Sequence, residues 1–358
     1  MWARKLGDGY SGVAAEGDRL FTMYRRGNND VVCALSAADG STVWEHIYAA
    51  PFVSSYSEGV GPGPYVMPQI FLASVITVGP TGQIHALDKA SGNVLWTRKL
   101  YDEFGGTRLI YGYASHAVPY RNTLILPIGG SSNAVIALSQ ASGEKVWGAA
   151  HSSTNGYTTP VLIHVDGQDQ VAILMAQEVI GVYPVSGELL WQQAHPTQYG
   201  ITCSKPVAGP DNRVFVASAY NGGGRMLRLR HSGGKTTLEE LWHNPRAQVH
   251  FGTIIWSGDH IYASVGQGVG LLSAINANTG AFSWQTRDFV KAQLVLTGDK
   301  LIVLDEDGTM GLVSATPQGA KVLAKSSALT KLAWTPPTVV GNRMYVRDRQ
   351  TLVAFDVS

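Results

Sequence analysis

Ala86-Leu87-Asp88-Lys89-Ala90-Ser91-Gly92-Asn93-Val94-Leu95-Trp96 is the stretch that decides the fold. The same frame returns as Ala34 to Trp44, Ala137 to Trp147, Gly181 to Trp191 and Ala274 to Trp284. Trp242 follows a lengthened turn in the same phase. The unit is an apolar, β-rich run, a polar residue, two more residues, Ser/Thr/Asp-Gly, three residues and Trp. The Gly supplies the positive φ that a tight turn between strands needs. Further hairpin signals precede the copies, as in Gly17-Asp18-Arg19, Gly258-Asp259-His260, Gly298-Asp299-Lys300 and Gly341-Asn342-Arg343. Each repeat therefore carries about four short strands, at the roughly 40–50-residue period of a propeller blade.

Two more units lack the tryptophan. Ala324 takes its position in one, and the last, from Trp334 to Val357, has no outer strand of its own. Met1-Trp2-Ala3-Arg4-Lys5-Leu6 matches Leu95-Trp96-Thr97-Arg98-Lys99-Leu100, so the N-terminal strand is expected to complete the last blade. Closing a ring in this way removes exposed sheet edges. The expected architecture is all-β: one eight-bladed propeller domain of four-stranded blades over residues 1–358. The blades fall at 9–47, 63–100, 112–150, 156–194, 199–245, 250–287, 290–326, and 332–358 with 1–6.

Composition narrows the function classes. The 358 residues include 41 glycines and carry a net charge of +1, so bulk charge attracts neither nucleic acid nor an anionic membrane. No run of 18 apolar residues spans a membrane. Cys33 and Cys203 lie about half a ring apart and are expected to stay reduced. Trp2 already sits in a strand, which we read as a chain whose leader is absent from this sequence.

The run Ala-x-Asp-x-x-Ser-Gly-x-x-x-Trp resembles the tryptophan-docking motif of quinoprotein propellers and the repeats of the BamB outer-membrane assembly lipoproteins. Segments such as Gly61-Pro62-Gly63-Pro64 and Asp305-Glu306-Asp307-Gly308-Thr309 look like those of bacterial PQQ-binding-like β-propeller repeat proteins. The resemblance covers the whole chain. It implies that Trp44, Trp96, Trp147, Trp191 and Trp284 tie neighbouring blades together. It also implies a periplasmic or extracellular protein. Quinoprotein dehydrogenases carry adjacent cysteines beside the quinone and a carboxylate-amide calcium site. This chain has no Cys-Cys pair, so no cofactor is expected, PQQ and calcium included.

Aligning the innermost strands on Pro68, Pro160, Pro206 and Pro337 locates a candidate site. Three residues upstream stand Tyr10, Tyr65, Ala114, Tyr157, Cys203, Phe251, Lys291 and Trp334, with Tyr113 beside Ala114. One residue upstream stand Gly12, Met67, His116, Thr159, Lys205, Thr253, Gln293 and Pro336. Both positions share one strand face, because side chains alternate with period two. If that face looks into the tunnel, Tyr10, Tyr65, Tyr113, Tyr157, Phe251 and Trp334 form an aromatic ring around Lys291 and Gln293. His116 and Lys205 would be the acid-base candidates. The other reading is that these aromatics close the tunnel by packing between blades.

Loops on the same end add polar clusters: Arg25 to Asp30, Gln177-Glu178, Tyr220-Asn221, Gln267 and Arg347-Asp348-Arg349, each also readable as a solvated hairpin tip. The insertion from Ala49 to Pro64, with Tyr56 and Glu58, and the stretch Asp102 to Ile110 are long loops of the kind that serve as lids. No metal-site spacing or nucleophile elbow appears. Asp305-Glu306-Asp307-Gly308 is read as a hairpin turn rather than a calcium loop.

The leading function is an exported binding or scaffold module that takes a small molecule, glycan or protein partner at the tunnel mouth, as a monomer. The alternative is a hydrolase or lyase acting on a carbohydrate-like substrate there. A PQQ-dependent dehydrogenase comes last.

Overall fold

The computed structural model describes every residue except Ser55, Ser57, Glu58 and Val60. It contains eight four-stranded antiparallel sheets, each running from an innermost to an outermost strand. The first occupies 14–49 and the next six occupy 69–99, 118–148, 161–194, 207–244, 255–286 and 292–327. The eighth, 338–356, takes its outer strand Trp2–Lys5 from the N-terminus, with Trp2 opposite Ala354 and Lys5 opposite Thr351. We number these blades 1 to 8.

The docking motif has a mechanical explanation. Asp88 Oδ1 accepts hydrogen bonds from Ala90 N, Ser91 N and Ser91 Oγ, which winds the turn. Gly92 then takes φ 75°. Trp96 pairs with Ala86, and the register slips by a bulge between Ala86 and Leu87. The bulge recurs at the same place in all of blades 1 to 7. A bulge bends its strand and re-aims a side chain. Here it accompanies a tryptophan that leaves its own sheet: Trp96 Nε1 donates to Gln140 O of blade 3 at 2.9 Å. Its ring lies on Gly143, where a Cβ would stand 2.5 Å from the ring. The motif glycine is thus required twice, by φ and by the neighbour's indole.

Trp44 docks likewise on Gly92 and Lys89 O, Trp147 on Gly187 and Pro184 O, and Trp242 on Gly280 and Ala277 O. Trp2 docks on Gly40 and Ala37 O, which closes the ring. Trp284 donates to Thr316 O at 2.7 Å.

Trp191 departs from the implied role. The outer hairpin of blade 5, 223–244, is longer, and its Ser232-Gly233-Gly234 turn at the tip has no ring against either glycine, so it offers Trp191 no seat. Its indole instead turns onto Gly181 of its own blade, where a Cβ would lie 2.0 Å away. Gly181 stands where blades 1, 2, 3 and 6 carry alanine. Trp191 Nε1 donates to buried Gln170 Oε1 at 2.7 Å, and Gln170 Nε2 donates to Thr236 Oγ1 of blade 5 at 2.8 Å. The tie to the next blade passes through a glutamine.

Three expectations about loops are corrected. Arg25 and Asp30 are buried and paired, Nη2 to Oδ1 at 2.7 Å, and Arg25 also holds Ala50 O and Phe52 O. Arg347 is fully buried, donating to Ser11 O, Thr22 Oγ1 and Met23 O across the seam of blades 8 and 1. These are struts, not solvated tips, because each satisfies backbone carbonyls that burial would otherwise leave unpaired. The stretch after blade 2 is not an unstructured loop throughout, since Leu100–Phe104 forms one helical turn. Cys33 and Cys203 are both free.

Candidate functional site

The innermost strands border a cavity of ≈ 1040 Å³, which follows blades 8, 1 and 2 as far as Val340, Ala15 and Phe71. Tyr10, Tyr65, Tyr157, Phe251 and Trp334 line it, as do Ala114 and Cys203 from the same register position. The aromatics contact one another in an arc. Tyr65 lies parallel to Tyr10 with centroids 6.0 Å apart, Tyr10 stacks on Trp334 at 5.1 Å, and Trp334 meets Phe251 at 4.8 Å. The arc continues through His250 to Tyr220. Across the mouth Tyr157 meets Tyr111, and Tyr111 meets Tyr56 of the long insertion. Arg349 Nη1 pins that insertion at Gly59 O, while Glu58 lies outside the described residues.

Tyr113 is a correction. It is fully buried and donates to Pro127 O at 3.1 Å, within the core shared by blades 2 and 3. Strand alternation gives the reason: Tyr113 neighbours cavity-lining Ala114, so it points the other way.

The polar residues below the aromatics are already engaged. His116 Nε2 accepts from Met67 N at 2.9 Å, which leaves Nδ1–H to donate to Thr159 Oγ1 at 2.6 Å. Burial, aided by the charge of Lys205, pushes this imidazole down to about 4. It is neutral, and both its nitrogens tie blades 2, 3 and 4 together, so it offers no lone pair to a substrate. Gln293 is engaged in the same way: its Oε1 accepts from Thr253 N and Oγ1, and its Nε2 donates to Phe251 O. Lys205 is exposed and does not line the cavity. The two acid-base candidates are therefore not brought together as a catalytic pair. Burial pushes the Cys203 thiol up to about 12, so it stays protonated.

Lys291 lies behind the arc rather than in it. It is 9% exposed, with Nζ 4.6 Å above the Phe251 ring and 3.2 Å from His250 Nδ1. His250 Nε2 is 2.9 Å from Tyr220 Oη. Trp334 Nε1 donates to Glu306 Oε2 at 3.0 Å, and that carboxylate also acts on Lys291. Lys291, Trp334 and Tyr220 are expected near the mouth from register and loop position, but the Lys291-His250-Tyr220 alignment joins three blades and no spacing signals it.

Known proteins share this architecture. The family model for outer membrane protein assembly factor BamB matches residues 1–99 and 28–286. The chain belongs to the BamB family. Outer membrane protein assembly factor BamB of Yersinia pestis is 24% identical over 318 residues, 84% of this chain and 70% of that protein. The structure of BamB from Moraxella catarrhalis superposes with a TM-score of 0.67 at 18% identity, covering 99% of this chain and 98% of that one. The quinohemoprotein alcohol dehydrogenase of Comamonas testosteroni reaches 0.65 at 12% identity over 99% of this chain and 76% of that one, a likeness of fold alone. No helix among the described residues is long and apolar enough to cross a membrane.

Proposed function

We propose that this BamB-family propeller is an exported, periplasmic binding module that captures an apolar segment of a protein partner at its tunnel mouth. The observation that carries this reading is the lining: a ≈ 1040 Å³ cavity walled by aromatics, with no Asp, Glu, Lys or Arg among the lining residues described. Binding pockets combine apolar walls with a few placed polar groups. A glycan would need several uncommitted donors and acceptors, and His116 and Gln293 are committed to blade-to-blade bonds. Exposed Tyr56 and Tyr199 extend the apolar surface beyond the rim, as expected of a partner-binding surface. The role in the relatives' name, outer membrane protein assembly, points to protein partners as well.

A quinone with its calcium ion does not fit this mouth. PQQ is a tricarboxylate, and the lining residues described include no cation. No group of three His, Cys, Asp or Glu among the described residues could hold a metal. Acid-base turnover at His116 has no free ring nitrogen to use.

The test is calorimetric titration with an extended peptide of alternating aromatic and polar residues, and with cellohexaose as the glycan probe. The peptide should bind and remain intact. Trp334→Ala should weaken it at least about tenfold, as loss of a central aromatic anchor does. Binding of cellohexaose in preference to the peptide, or cleavage of either probe, would overturn the reading.

A further inference from the structure

The Lys291-His250-Tyr220 alignment has a direction. A lysine ammonium has donors only. At 3.2 Å it must donate to His250 Nδ1, which therefore carries no proton. Burial and the neighbouring Lys291 keep the ring neutral, so its single N–H is at Nε2. That N–H faces Tyr220 Oη at 2.9 Å, and the ring also has a hydrogen bond with the Gln267 backbone. The Tyr220 oxygen is thus an acceptor toward His250, and its own hydrogen is left to point elsewhere. Tyr220 lines the cavity, and burial raises its phenol to about 12, so the hydrogen stays in place.

The result is a one-way chain of donors, ammonium to imidazole to phenol, that ends at the cavity wall. Each link polarises the next, which strengthens the terminal O–H as a donor. The charge behind the chain is offset: the Glu306 carboxylate acts on Lys291 and accepts from Trp334. The Tyr220 backbone is held for this task at φ 54°, with its N–H donating to Gln267 Oε1. A non-glycine residue in the left-handed region is a strain that the surroundings must fix.

We propose that Tyr220 is the polar anchor of the mouth, donating its O–H to a neutral carbonyl oxygen on an apolar ligand, with Lys291 and His250 as positioning residues. This rests on the mouth being the binding site. It adds what the aromatic walls cannot supply, which is a preference for ligands that carry an acceptor at one place. A peptide carbonyl beside an aromatic or aliphatic side chain has this chemistry.

Three probes of one shape separate the parts: indole-3-propionamide, indole-3-propionate and 3-ethylindole, each titrated into the full chain. The amide should bind about tenfold tighter than 3-ethylindole, the worth of one well-formed hydrogen bond. Tyr220→Phe should erase that difference and leave 3-ethylindole unchanged. Lys291→Met should reduce the difference without erasing it, because the phenol remains. Equal binding of amide and 3-ethylindole to the wild type would overturn the anchor and leave the mouth standing. So would an amide preference that survives Tyr220→Phe. Tighter binding of the propionate would overturn the neutral acceptor. If 3-ethylindole binding survives Trp334→Ala, the mouth itself is wrong. Failure of all three probes to bind would sink both readings.

Discussion

The outer belt and the tunnel mouth each take one residue per blade from a fixed register, yet they behave differently. In the belt the residue is nearly always tryptophan, and each docked indole N–H reaches a carbonyl of the next blade. In the mouth the residue varies: Tyr10, Tyr65, Ala114, Tyr157, Cys203, Phe251, Lys291, Trp334. Trp334 there donates to a side chain, Glu306, rather than to a neighbour's backbone. Sameness around a ring serves the ring, because most seams present the same glycine turn to the neighbouring indole. Variety around it gives each blade a different face toward the cavity, as the proposed binding of a partner there requires.

The strongest way to break the comparison is at the belt. Trp96→Ala removes an indole that is 8% exposed and leaves the Gln140 carbonyl and the Gly143 surface uncovered. We expect a loss of about 3–5 kcal/mol of stability, read by denaturant titration, with probe binding at the mouth retained. The seam of blades 7 and 8, where Ala324 replaces the tryptophan, argues that the ring still closes without one rung.

Acid sharpens the contrast, because tryptophan does not titrate and the buried tunnel histidines, His116 and His250, do. His116 titrates at about 4 in the folded protein against 6.5 for the free side chain. Between those values the unfolded chain takes up the proton and the folded chain does not. The unfolded state binds more protons, so stability falls as pH drops from about 6.5 to about 4. The contribution is at most on the order of 3 kcal/mol, from about 1.4 kcal/mol per unit. His116→Gln should flatten the stability–pH curve over that window relative to wild type. An unchanged slope would show that His116 does not carry the effect.

The smallest expected effect tests the exception within the belt. Gly181→Ala forces a methyl group against the Trp191 indole, whereas alanine is the resident at the same position in blades 1, 2, 3 and 6. A cost of about 1–3 kcal/mol is expected, typical of overpacking. A Tm at or above wild type would mean that Trp191 is free to swing outward.

Much of the mouth was legible as well. Counting back from Pro68, Pro160, Pro206 and Pro337 selects two inner-strand positions most of whose residues line the cavity, because the repeat fixes the register; Lys205, Thr253 and Lys291 do not line it. Tyr113 differs from the expected ring: its neighbour Ala114 lines the cavity, so strand alternation sends Tyr113 into the core. His116 could not be judged from sequence, since its fate depends on Met67 in the blade before and Thr159 in the blade after. Lys205 shares its register, but burial and partners are not set by register.

The sequence by itself determined the eight blades, the N-terminal closure and the docking of most tryptophans, because each depends on a local turn repeated at constant spacing. Only the tertiary structure decided which way Trp191 turns, that Arg347 is a buried strut, and that Lys291, His250 and Tyr220 align. Those contacts cross from blade to blade, and a repeat written along the chain does not encode which side chains meet where its copies face one another.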